Sequence, residues 1–186
     1  MADRAKKLAT YADLEAAPPH LVAELIHGTL VTSPRSAAPH ARAASRIGID
    51  LGGPFDRGKG GPGGWVILDE PELHLGPNVL VPDVAGWRRE RMPEMPLEAA
   101  FTMPPDWVCE VLSPSTAATD RADKLPIYAA AGVSYAWYVD PLARTLEGYR
   151  VDGATFRLPQ TARDDARIRA DPCEALELEL AALWER

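Results

Sequence analysis

Apolar positions recur along the chain in short runs of strand-like length, broken by proline- and glycine-rich turns, with a few stretches at helical spacing. "TYADLEAAPPHLVAELIHGTLV" predicts a short helix capped near Thr10, a Pro-Pro break and a second short segment at Leu21 to Ile26. A turn at His27-Gly28 then leads into "TLVTS" as a strand. Pro39 opens "HARAASRIGIDLGG", where Ala44, Ile47 and Leu51 recur at helical spacing and Gly52 is expected to supply a left-handed stop. "FDRGKGGPGG", Phe55 to Gly64, reads as a flexible turn, because a phosphate-binding loop needs a GK[ST] ending and a preceding strand.

"WVILDEPELHL" and "VLVPDVAGW" predict two strands paired around "GPN". The proline-rich "MPEMPLEAAFTMPP" is an irregular excursion, and "DWVCEVLSPST" carries a third strand. "STAATDRADKLPIYAAAG" predicts a helix entered near Thr119 and stopped by Gly132. Pro126 either sits in the first turn of a later-starting helix or marks a kink. "SYAWYVD" is a further strand, "TLEGYRV" and "ATFRLP" a hairpin with a type I′ turn at Asp152-Gly153, and "ALELELAALWE" a strand followed by a short helix. This order predicts an α/β fold, a mixed central sheet flanked by helices. The length of 186 residues suits one domain: an N-terminal appendage (1–38), a core (39–141) and a C-terminal hairpin and tail (142–186).

Carboxylates interrupt two of the apolar strands. Glu110 lies between Cys109 and Val111, and an ionised carboxylate in such a place either faces water on an edge strand or answers to a cation. Asp83, in the second strand, follows a proline that limits ladder bonding and suits a bulge or edge. Opposed residues on adjacent strands have Cβ atoms about 4.5 to 5.5 Å apart, so two acids placed there repel unless they share a cation. Oxygen ligands of this kind suit Mg²⁺ or Mn²⁺, with water and phosphate oxygens completing the shell. By strand alternation Glu110 shares a face with Val108 and Leu112, while Cys109 points the other way. The nearest lysine, Lys124, lies on the following helix, where it either returns toward the carboxylates or pairs with Asp120 at i, i+4.

Other features change the picture less. The net charge of −7 argues against nonspecific coating of nucleic acid, though not against a local basic groove. The dense basic cluster "WRRER" reads as a solvated loop. Cys109 and Cys173 have no CxxC spacing and are expected as reduced thiols. Ser113, Ser115 and Thr116 are expected to form a turn and cap the helix, and His40 at a helix start reads first as a capping or solvated histidine, with a ligand role as the alternative. No run of apolar residues reaches membrane-spanning length and no apolar leader follows the initial charges, so a soluble cytoplasmic protein is expected.

"ELIHGTLV", "PDVAGW", "VCEVLSPST" and "DRADKLPIYAAAGVSYAWYVDP" together resemble the Uma-type (Uma-two) family of restriction-endonuclease-like proteins, a branch of the PD-(D/E)XK nuclease superfamily. The resemblance runs from about Tyr11 to Pro141. It implies that Asp83 and Glu110 are the two metal-binding acids and that Glu24 is a supporting acid beside them. Lys124 would take the role of the motif lysine, displaced from strand to helix because Leu112 occupies the usual place.

The implied activity is Mg²⁺-dependent (or Mn²⁺-dependent) hydrolysis of DNA phosphodiester bonds by a homodimer, since cutting both strands takes two sites. The rival expectation is a catalytically inactive nuclease fold serving as a dimerisation or nucleic-acid binding module, which the acidic net charge favours.

Overall fold

The computed structural model describes residues 8–153 and 155–185. Residues 1–7 of the expected appendage, together with Ala154 and Arg186, lie outside the described residues. Thr10 caps α1 (Tyr11–Glu15) through a reciprocal capping box with Asp13. β1 (Leu21–Ile26) and β2 (Thr29–Pro34) form a hairpin around His27-Gly28. α2 (Ala38–Leu51) has proline in its first turn and buries Ala43, Ile47 and Leu51. Its expected stop differs: Gly52 stays right-handed at φ −60°, and the chain winds on through a π-helical turn, Gly52–Asp56. Continuing places Phe55 in the same apolar cluster as Ile47 and Leu51, burial that a stop at Gly52 would forgo.

β3 (Trp65–Asp69), β4 (Glu72–Leu75), β5 (Asn78–Leu80) and β6 (Val84–Arg88) correct the sequence reading of two long strands. Each of those strands is broken and divided between two sheets. Glu70, at φ 46°, with Pro71 breaks the first, and Pro82, which has no N–H to give a ladder, breaks the second. At this fork the Glu70 N–H donates to the Asp83 carbonyl at 3.1 Å.

The excursion contributes the two-residue β7 (Ala100–Phe101) and leads to β8 (Trp107–Val111). The helical stretch begins at α3 (Ala117–Thr119), passes through a π-helical turn, Asp120–Lys124, and continues as α4 (Leu125–Ala131) to a left-handed Gly132. Pro126 therefore sits in the first turn of α4, directly after the π-helical turn, so its missing N–H falls where the regular ladder is already interrupted. Thr116 precedes α3 but gives it no side-chain cap; its hydroxyl lies 3.0 Å from that of Ser113.

β9 (Tyr135–Asp140), β10 (Thr145–Asp152), β11 (Thr155–Arg163), β12 (Arg167–Ile168), β13 (Leu178–Glu179) and α5 (Ala181–Trp184) complete the chain. In the β10–β11 hairpin Asp152 pairs with Thr155, so it ends a strand and does not lie at the turn centre as expected.

The six-stranded sheet has the order β11-β10-β9-β8-β6-β3, antiparallel except where β8 meets β9. The second sheet has the order β2-β1-β5-β4-β7, so the N-terminal hairpin expected as an appendage supplies two of its five strands. Period-two alternation separates the two cores. Trp107, Cys109, Val111, Trp137 and Val139 face α2 and α5, whereas Val108 and Ala136 face the second sheet and α4. β8 is an interior strand, and the solvated-edge reading of Glu110 fails: its side chain faces the layer between the sheets and is 3% exposed. Cys109, on the opposite face, and Cys173 are buried free thiols in the same apolar cluster.

Candidate active site

Asp83 and Glu110 meet because of register. β6 and β8 pair Val84 with Cys109 and Ala85 with Val108, so one step further Asp83 lies opposite Glu110, just where Pro82 ends the ladder. Asp83 Oδ2 accepts the Val111 N–H at 2.7 Å, a bond that ties the loop acid to the end of β8. Oδ1 faces His40 Nε2 at 3.2 Å.

Lys124 sits at the centre of the remaining acids. Its Nζ lies 2.9 Å from Glu24 Oε1, 3.3 Å from Asp120 Oδ1 and 3.4 Å from Glu110 Oε1. Glu110 Oε1 also accepts the Tyr128 hydroxyl at 2.6 Å. Glu24, on β1, accepts the Val81 N–H at 2.8 Å and so holds the chain where it passes from the second sheet to the first. All four predicted residues, Glu24, Asp83, Glu110 and Lys124, line one cleft of about 280 Å³. Lys124 is 5% exposed, which corrects the alternative of a surface pair with Asp120.

Three further residues belong to the cluster. Asp120 is 2% exposed and Tyr128 is fully buried, and with Lys124 they recur every four residues, which places them on one helical face. That spacing was available in the sequence, but the aromatic ring read as core and the acid as a mere ion-pair partner. His40 came from a capping position in sequence terms; the fold turns its ring toward Asp83. Arg121, three residues before Lys124, is held by Glu147 and Tyr149 on β10.

The electrostatics follow from burial. Burial pushes the Glu110 carboxyl well above its usual range, partly opposed by Lys124. Burial likewise raises Asp120, again opposed by Lys124. For Lys124 burial works against the charge, but Glu110, Glu24 and Asp120 outweigh it and the ammonium stays protonated far into the alkaline range. Burial lowers His40 too, and Asp83 more than reverses the shift, so the imidazole is raised. Five carboxylates, Glu24, Glu70, Asp83, Glu110 and Asp120, thus line the cleft with Lys124, Arg35 and His40, and even a protonated His40 leaves two negative charges in excess.

The donor set suits a hard divalent ion of the open type. Among the described residues no three His, Cys, Asp or Glu side chains gather into a ready-made cage. Mg²⁺ does not need one, because it binds through one or two carboxylates and keeps several waters for exchange with phosphate. Asp83 and Glu110 offer that pair. The Lys124 and Tyr128 contacts both fall on Oε1 of Glu110, which orients Oε2 separately from them.

A mixed α/β protein with opposed acids at the end of two central strands is the class that this fold and cleft define. The same fold occurs in a crystal structure from Anabaena variabilis ATCC 29413 described as "a putative nuclease belonging to DUF820", at a TM-score of 0.73 and 21% identity, covering 88% of this chain and 89% of that one. The chain belongs to the Uma2 family, described as "Putative restriction endonuclease", which matches residues 8–182. No curated protein matches it.

Proposed function

We propose that the protein is a Mg²⁺-dependent endonuclease, also served by Mn²⁺, that hydrolyses DNA phosphodiester bonds. The observation that carries this reading is the opposition of Asp83 and Glu110 in a cleft whose acids exceed its cations. A divalent ion held by these two carboxylates would polarise the scissile phosphate and make an attacking water more acidic. Asp83 is fixed for this by the Val111 N–H, and Glu110 by Tyr128. Lys124 keeps Glu24, Asp120 and Glu110 compatible in one buried space and stands beside the cleft as a donor to charge growing on the phosphate. Cutting both strands takes two such sites, and β11 leaves an outer sheet edge for pairing, so we propose a homodimer.

One observation favours a second reading, a nuclease fold kept for binding alone. The arginines of "WRRER" sit at the far end of β6 from Asp83, and two are bound locally, Arg89 to Asp56 at 2.9 Å and Arg91 to Asp106 at 2.7 Å. They form no basic track into the cleft. Calorimetric titration with Mg²⁺ and Mn²⁺, beside nicking of supercoiled plasmid by wild type and Asp83→Asn, separates the readings. Metal binding with nicking that Asp83→Asn abolishes supports the enzyme. Absence of ion binding by the wild type overturns it.

A further inference from the structure

Resting on the two-carboxylate ion site proposed above, we infer that His40 is a third, nitrogen donor to that ion and that it biases the site toward Mn²⁺ over Mg²⁺. The Pro39-His40 pair opens α2, and the first turn of that helix carries the imidazole to the wall of the cleft beside Asp83. Its Nε2 stands 3.2 Å from Asp83 Oδ1. Octahedral ions with ligands at roughly 2.0 to 2.1 Å place neighbouring donors about 3 Å apart, so these two atoms already have the spacing of adjacent ligands.

The other ring nitrogen takes no part in capping the helix. Nδ1 is sealed from solvent and has no hydrogen-bond partner. His40 therefore does not act as a helix cap or a solvated surface group, and the nitrogen it presents to the cleft is the one beside a metal-binding acid. An imidazole in an otherwise oxygen shell matters for selectivity. It strengthens binding of Mn²⁺ and later first-row ions, while Mg²⁺ gains little from nitrogen.

The test is electron spin echo envelope modulation on the Mn²⁺-loaded full chain, unlabelled and labelled with ¹⁵N-histidine. The expected result is modulation from a directly bound ¹⁴N that changes to the ¹⁵N pattern on labelling and vanishes in His40→Asn. Mn²⁺ affinity should fall about tenfold or more in that variant, and Mg²⁺ affinity by less. Because the wild-type spectra alone decide ligation, a poorly folding variant leaves the test intact. Mn²⁺ bound without nitrogen modulation overturns the role of His40 and leaves the two-carboxylate site standing; a wild type that binds no Mn²⁺ overturns both.

Discussion

Lys124 Nζ lies 2.9 Å from Glu24 Oε1, joining the π-helical turn after β8 to the first strand of the second sheet. The sequence left open whether Lys124 returns toward the carboxylates or pairs with Asp120 on the helix face. In the fold its ammonium offsets three buried carboxylates, and removing one partner of a buried ionic group typically costs about 3 to 5 kcal/mol. Lys124→Met should therefore lower stability by about that amount in the metal-free protein, as read by chemical denaturation. Adding Glu24→Gln should recover part of the loss, because it removes one of the acids left unpaired. A Lys124→Met protein within about 1 kcal/mol of wild type would contradict the central place given to this residue.

Asp83→Asn should separate folding from ion binding. The amide has the shape of the carboxylate, and its oxygen can still accept the Val111 N–H. Stability should stay within about 1 kcal/mol of wild type, while Mn²⁺ binding and DNA cleavage are lost. Glu110→Gln should lose both as well. Calorimetry and melting curves on the same preparations check each part. Retained Mn²⁺ affinity in Asp83→Asn would remove Asp83 from the site.

The two acids were legible because each breaks an apolar strand, and strand period together with antiparallel register then brings them together. What escaped sequence reading depends on contacts between distant segments. Nothing local shows that β3 and β4, or β5 and β6, part into different sheets; Pro71 and Pro82 mark possible breaks but do not say where the chain goes next. Gly52 illustrates the same limit, since the burial of Phe55 overrides the usual left-handed stop. The environment of Lys124 arises only when β1 is laid against the helical segment, so its i, i+4 spacing to Asp120 could not decide between a surface pair and a return to the carboxylates. His40 needed the path of α2 relative to the fork at Asp83.

Tyr128 offers a test of how Glu110 is held. Its hydroxyl donates to Glu110 Oε1 at 2.6 Å in a fully buried setting. Tyr128→Phe keeps the ring and its packing but leaves that oxygen with one partner fewer, at a cost of about 1 to 3 kcal/mol. Mn²⁺ affinity should also fall, because the carboxylate loses the contact that fixes its orientation. An unchanged Mn²⁺ affinity alongside reduced stability would make Tyr128 a core residue only.

A last expectation concerns the acid limb of stability, away from the cleft. Arg121 reaches from the π-helical turn to Glu147 on β10, with NH2 to Oε1 at 3.2 Å, and Glu147 also accepts the Tyr149 hydroxyl at 2.7 Å. Burial works to raise the Glu147 carboxyl, but the bonds from Arg121 and Tyr149 prevail and hold it below its ordinary value of 4.5. A carboxylate with a depressed folded pKa binds fewer protons in the folded than in the unfolded chain. Its stabilisation is therefore present above the ordinary value and is lost as pH falls through the lowered one. The pair is partly exposed, with side chains 39% and 19% accessible, so its worth is roughly 1 kcal/mol. Glu147→Gln should accordingly melt below wild type at neutral pH, and the gap should close as pH is lowered past the ordinary glutamate range. Melting curves for both proteins across that range check the sign. A gap that widens in acid would mean that Glu147 is not held ionised by Arg121.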